Sequence, residues 1–339
     1  MIFLIRIANK LLSFADWCLS IKSVILKNNH FILPMNNIWQ KIPDKNKGYI
    51  LTFIGIIAMS NVFIFSKAAL QEVKLPQFGF YWFLTGFSLV FIIAIQQKAF
   101  KILKEFNKKD WLLLLFFGLL EVTSTSVFFM AIRTMPNPSI VAFMSNLGPV
   151  FVLILGFFIL KERFNGLEIL GIIITLTAAF LLSYNPKWIK IDEMFIPGSQ
   201  YVLIFTSLFA LSSILMKINV VRFSPIILAL NRTFYLFIFS LIILIYKDLS
   251  FKIPISAFKN ILGGAFLGPF LTALVGLYAL KYIEVSRKSI LSSTKGLFVL
   301  IGSYLYFGKF PTNIQIIGGI LSIIGVVLII LGKRIISKK

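Results

Sequence analysis

The sequence predicts an all-α integral membrane protein, with ten transmembrane helices arranged as two inverted repeats of five. Three observations carry that expectation. Hydrophobic residues make up 58% of the 339 and charged residues only 14%, giving a mean hydropathy of +0.93. Ordinary soluble domains do not have this composition. About 20 consecutive apolar residues are needed to cross the hydrocarbon core as a helix, and the chain carries ten such runs in two sets of five. Five is odd, so tandem copies of a five-span unit must lie in the bilayer with opposite orientations. Few of the runs alternate at period two, which argues against a membrane β-barrel.

The spans fall at 50–69, 78–97, 111–132, 138–160, 166–184, 198–217, 224–246, 261–280, 288–307 and 314–332. They divide the chain into a basic N-terminal segment (1–49), a first repeat (50–184), a linker (185–197), a second repeat (198–332) and a basic tail (333–339). The linker is punctuated by Asn185-Pro186 and Pro197. Residues 1–34 are apolar but broken by Arg6, Lys10, Asp16 and Lys22. Each such charge costs about 2.5–3.5 kcal/mol at mid-membrane, which argues against a span there. Two readings stay open: an interfacial amphipathic helix, or a true translation start at Met35. The net charge of +22 is placed by topology and does not indicate nucleic-acid binding. With the N-terminus inside, inner segments hold 23 Lys/Arg and outer segments 9, Lys67 and Lys74 among them. This bias puts both termini in the cytoplasm of a cell (inner or plasma) membrane, although Lys247, Lys252 and Lys259 dissent from it. Between spans 2 and 3, KAFKILKEFNKKD reads as an orientation determinant touching anionic headgroups. Cys18 is alone, so no intrachain disulfide forms. His30 is the only histidine and lies outside every span.

Shifting 128–184 by 148 lands it on 276–332 without a gap. Ser145 then meets Ser293, Gly148 meets Gly296, Asn165 meets Asn313 and Gly171 meets Gly319. The coinciding spans and turns carry the repeat more than these identities do. Inverted repeats of this kind are an architecture of secondary transporters.

Three stretches carry a family resemblance: SNVFIFSKAAL in span 1, AIRTMPNPSIVAFMSNLGPVFVLILGFFILKERFNGLEILG from span 3 into span 5, and YALKYIEVSRKSILSSTKGLFVLIGSYLYFGKFPTNIQIIGG in the second copy. Over about 50–332 the chain resembles the EamA-type, ten-span members of the drug/metabolite transporter superfamily. It departs from that pattern at two places. Glu162 has no counterpart in the second copy, where Phe310 stands. The basic residue of the second helix is Trp82 in the first copy and Arg232 in the second. The resemblance implies a single-chain carrier of small polar metabolites, usually an exporter, working by alternating access. It also implies that spans 3, 4, 8 and 9 lie near the centre, which would bring Glu121 and Lys295 within reach of each other.

The candidate site starts from charges inside spans, because a buried charge is costly and needs a partner or a task. These are Glu121 in span 3, Arg232 in span 7 and Lys295 in span 9. Two readings stay open: a buried ion pair that fixes packing, or a site where Lys295 or Arg232 binds a carboxylate or phosphate. In the second reading Glu121 takes an amine or a coupling proton. Asn61, Ser145, Asn146, Asn231, Ser293 and Thr294 are the uncharged polar candidates, suited either to a polar solute or to interhelical hydrogen bonds. Phe63, Tyr278 and Tyr282 are possible aromatic walls. Gly148-Pro149 and Gly268-Pro269 mark expected kinks and hinges.

The leading expectation is an exporter of an amino acid or similar small polar metabolite, driven by a gradient or by protons. The runner-up is an exchanger or facilitator of anionic or phosphorylated metabolites. A membrane enzyme is disfavoured, because no histidine lies within a span to serve an H-E-x-x-H site. A structural subunit is disfavoured by the central charges. No cofactor or metal is expected, and the partners are a small-molecule solute, the lipid bilayer and either no second chain or one identical copy.

Overall fold

The computed structural model describes residues 42–160, 164–184, 195–219, 223–272 and 291–336, with isolated positions at 275, 279 and 282. The expectations for residues 1–34, a start at Met35, Glu162 and its basic neighbours, most of the linker, Tyr278 and the end of the basic tail lie outside the described residues.

Within them the protein is helical. Helix α1 covers Asp44–Glu72, α2 Leu75–Gln96 and α3 Lys108–Thr134, with a 3-10 helix at Ala99–Glu105 between α2 and α3. Next come α4 Pro138–Met144, α5 Leu147–Leu160 and α6 Gly166–Ser183. The second half has α7 Ser199–Asn219, α8 Pro225–Tyr246 and α9 Ile255–Ala265, the last continuing as a π-helix over Phe266–Thr272. It ends with α10 Lys295–Phe307 and α11 Asn313–Ile336. Five of these are long and apolar enough to cross a membrane: Asn46–Glu72, Leu75–Gln96, Lys108–Thr134, Ile226–Tyr246 and Asn313–Gly332. The others are shorter or interrupted.

Polar residues at the helix starts satisfy the free amides. Asn107 and Asp110 cap α3 reciprocally, and Asn165 and Glu168 do the same for α6. Ser224 caps α8 ahead of Pro225, whose missing amide costs nothing in the first turn.

Two interruptions fall inside expected spans. Span 4 breaks at Ser145-Asn146, separating α4 from α5. Pro149 has no amide to give to Ser145, four residues back, and its ring crowds that carbonyl. Gly148 N donates to Ser145 O instead, at 3.1 Å, in a tighter three-residue turn. Span 9 breaks at Thr294, which is Asn146 shifted by 148. The same local bond closes both turns: Asn146 N to Phe143 O, and Thr294 N to Leu291 O, each 3.0 Å. In span 8, Pro269 lies within the π-helix. Thr272 Oγ1 there donates to Leu267 O at 2.7 Å, five residues back. The distortion at Gly148-Pro149 is therefore displaced to the turn before it, and that at Gly268-Pro269 is a widening of the helix.

The two halves interleave. Helix α2 packs on α8, α4 on α10 and α6 on α11. Each pair joins corresponding spans of the two halves, 2 with 7, 4 with 9 and 5 with 10, and each runs antiparallel. Asn165, at the start of α6, meets Gly332 near the end of α11, while Gly318 faces Leu182. Asn137 meets Ser303, and Asn146 meets Ser293. Gln77 meets the Ser250 carbonyl beyond α8, and Phe87 meets Phe234 and Phe237. Three further contacts repeat when the halves are exchanged: α3 on α7 and α9 on α1, α5 on α7 and α10 on α1, α8 on α3 and α2 on α9. Phe63, Phe78, Trp82, Phe129, Phe143 and Met144 form the core between them.

Candidate functional site

Glu121 sits in α3 with its side chain almost wholly buried (7% exposed), while Arg232 of α8 keeps 45% of its side chain open. Arg232 Nε stands 3.0 Å from Glu121 Oε2. Ser212 Oγ, from α7, donates to Glu121 Oε1 at 3.0 Å, and Arg232 Nη2 donates to Thr125 Oγ1 at 3.3 Å. Two turns of α3 before Glu121, Asn231 Nδ2 donates to Leu114 O at 2.9 Å. The first half supplies the carboxylate, and the second supplies the cation and the serine. Within apolar helices an unpaired carboxylate is costly. Here the guanidinium and a hydroxyl both address it, so its charge is shared across the junction of the halves.

This corrects the expected Glu121–Lys295 approach. Lys295 begins α10 and is half-buried. Among the described residues no carboxylate lies within ion-pair distance of its ammonium. Its carbonyl accepts a 3.3 Å bond from Ser60 of α1. The family-based inference put spans 3 and 9 together, whereas α3 packs against α7 and α8.

The polar candidates separate into two groups. Asn61, Ser145 and Thr294 donate to carbonyls of their own helices: Ile57, Ala142 and Leu291. Asn146 reaches across. Its buried amide donates to Ser293 O at 3.2 Å and to Ser322 Oγ of α11 at 3.0 Å, tying one break to the other. Phe63 is a core residue packed edge-on against Phe128, and Tyr282 is half-buried.

The sequence reading missed several contributors. Ser212 was legible as one of a serine pair in span 6, and Ser322 as a polar residue in span 10. Lys67 was assigned to an outer loop. It is buried instead, and its ammonium donates to Arg133 O at 2.8 Å and Met135 O at 2.6 Å. It therefore caps the last turn of α3, where free carbonyls attract a cation. Nearby, Asn137 Oδ1 accepts from Ser139 and from Ser303 of α10.

Separately, a cavity of about 610 Å³ lies between α4–α5, α6 and α7, with Ser199 and Gln200 the polar members of its mostly apolar wall. It does not include the ion pair.

The profile of the EamA-like transporter family matches residues 46–184 and again 196–331. The chain belongs to the EamA-like transporter family. An uncharacterized transporter of Synechocystis is 26% identical over 238 residues, which is 67% of each chain. A solved crystal structure of a protein covers 86% of this chain and 99% of its own with a TM-score of 0.61, at 13% identity, and so speaks for the fold alone. This EamA-like chain is accordingly a membrane transport protein, acting on a small-molecule solute in a lipid environment. Its family profile occurs once in each half, so Glu121 and Arg232 come from different copies.

Proposed function

We propose that the chain is a secondary-active exporter of a small polar metabolite such as an amino acid, working by alternating access. Ten spans in two inverted halves would carry it, with both termini cytoplasmic in a cell (inner or plasma) membrane. The antiparallel packing of α2 with α8, α4 with α10 and α6 with α11 supports the inversion. The functional reading rests on the Glu121–Arg232 pair bridging the halves. A zwitterion offers an ammonium to Glu121 and a carboxylate to Arg232. It replaces each partner as the halves separate, so neither charge is left unpaired in an apolar setting. Coupling of this cycle to a proton gradient is part of the same proposal. Gly148, Pro149, Gly268 and Pro269 flank the places where the helices are already irregular, and we assign the bending to them.

Lys295 favours a second reading. It adds a cation with no carboxylate beside it among the described residues. An exchanger of anionic or phosphorylated metabolites would use both Lys295 and Arg232. Metabolite profiling of medium and cytosol separates the readings, using cells that express the wild type, Glu121→Gln or nothing. A zwitterion enriched in the medium by the wild type and not by the variant is the expected result. An anion exchanged equally well by both would favour the second reading. Zwitterion export unchanged in the variant would reduce Glu121 to a packing residue.

A further inference from the structure

The segment between α2 and α3 carries five lysines over 98–109, against one acidic residue, Glu105. Its backbone is the 3-10 helix Ala99–Glu105, preceded by Lys98 in a left-handed conformation with φ of 53°. In a 3-10 helix residues three apart eclipse one another. Lys101 and Lys104 therefore stand in one row, Lys98 precedes them at the helix start, and all three are exposed. Four apolar positions turn inward. Ala99, Ile102, Leu103 and Phe106 pack on a cluster made of Leu114 and Phe117 from α3 with Phe223 and Ile227 from the start of α8. Phe106 lies edge-on to Phe223 at 5.4 Å and to Trp111 at 6.0 Å.

The first turns of α3 fix the depth of this ledge. Trp111 is 51% exposed and Leu112 67%. An open tryptophan beside open leucine belongs at the boundary between acyl chains and headgroups. The ledge thus lies at headgroup level, with its lysine row turned away from the protein and its apolar side held down by both halves.

We propose that Lys98, Lys101 and Lys104, with Lys108 and Lys109 behind them, form a docking surface for anionic phospholipid headgroups. Charge complementarity selects the occupant: exposed ammonium groups at headgroup depth meet lipid phosphates, with Glu105 the one acidic residue over 98–109. The placement goes beyond an orientation signal, since a charge-counting signal needs no ordered helix and no shared apolar seat. Because that seat includes α3 and α8, lipid held here stabilises the junction of the halves. The inference is independent of the transported solute.

The test is thermal unfolding of the full chain in uncharged detergent, with added phosphatidylglycerol or phosphatidylcholine at low and high salt. Three proteins are compared: the wild type, the triple variant Lys98→Gln, Lys101→Gln, Lys104→Gln, and the triple Lys→Arg variant at the same positions. Phosphatidylglycerol should raise the midpoint of the wild type and the arginine variant above the phosphatidylcholine value, and high salt should erase the gain. The glutamine variant should bind the anionic lipid roughly a hundredfold more weakly and show little gain. The shift with lipid is the readout, so a lower starting midpoint in the variant does not confuse it. Native mass spectrometry of retained phosphatidylglycerol gives a second reading that does not depend on unfolding. Equal gain in wild type and glutamine variant would overturn the proposal. So would an equal gain from soluble glycerol phosphate, which would make this a free-phosphate site.

Discussion

At the residue scale, the pair between Glu121 and Arg232 explains how two charges persist in apolar helices. Truncating one partner leaves the other unsatisfied, and breaking a buried pair costs several kcal/mol where replacing both partners costs far less. Glu121 is the more deeply placed member, so its isolation is the expensive one. Arg232→Gln should therefore lower stability in detergent by about 3 kcal/mol. The double variant Arg232→Gln, Glu121→Gln should recover most of that loss while export stays absent. Thermal unfolding and an export assay on the same variants check both halves of the expectation. Recovery of export in the double variant would show that the pair only packs the halves. Both charges were legible in the sequence because any ionisable residue within an apolar run stands out. Their pairing was not legible, because partner choice depends on which helix faces which. Hydropathy carries no such information, and Lys295 was the wrong guess for that reason. Lys67 misled in the opposite sense: near the end of an apolar run it looked like a loop charge, whereas its long side chain reaches the carbonyls that close α3.

At the element scale, hydropathy pointed to helices, and five among the described residues are long and apolar enough to cross a membrane. It could not show where they break, since a proline disturbs the carbonyl four residues earlier and so acts outside its own dipeptide. The Ser145-Asn146 and Thr294 turns became visible only as a matched pair, pinned by Asn146. Close contact between elements depends on glycines. At Gly171 in α6, an added Cβ would lie 2.7 Å from the Gly325 carbonyl and 2.8 Å from the Ile329 amide of α11. Gly325 reciprocates against Thr175 and the Gly171 carbonyl. Backbone cannot yield as a side-chain tip can, so the two helices must move apart. Without a hydrophobic drive between helices in lipid, such small-residue contact supplies much of the packing. Gly171→Ala should destabilise the protein by about 1–3 kcal/mol, whereas Gly166→Ala, with open space around it, should change little. Unfolding midpoints of the two variants measure the difference.

At the scale of the whole molecule, antiparallel packing of corresponding elements and the asymmetry of Lys and Arg are separate arguments about the same arrangement. The first concerns how the halves sit against each other, and the second is the basis for the proposed placement of both in the membrane. They meet at two exposed positions. Lys104 lies on the ledge between α2 and α3, and Lys252 in the loop between α8 and α9. Between them the chain makes five expected crossings, so an inverted ten-span arrangement puts the two on opposite sides. Lys252 also belongs to the lysine-bearing loop that dissents from the charge rule, which makes it the more demanding marker. The natural chain has one cysteine, Cys18, so Cys18→Ser gives a clean background. In it, Lys252→Cys should react with a membrane-impermeant maleimide in intact cells. Lys104→Cys should react only after the membrane is opened. The reverse pattern would keep the inverted halves and turn the molecule over. Labelling of both from one side would require an even number of crossings between them, and the five-plus-five arrangement would fail with it.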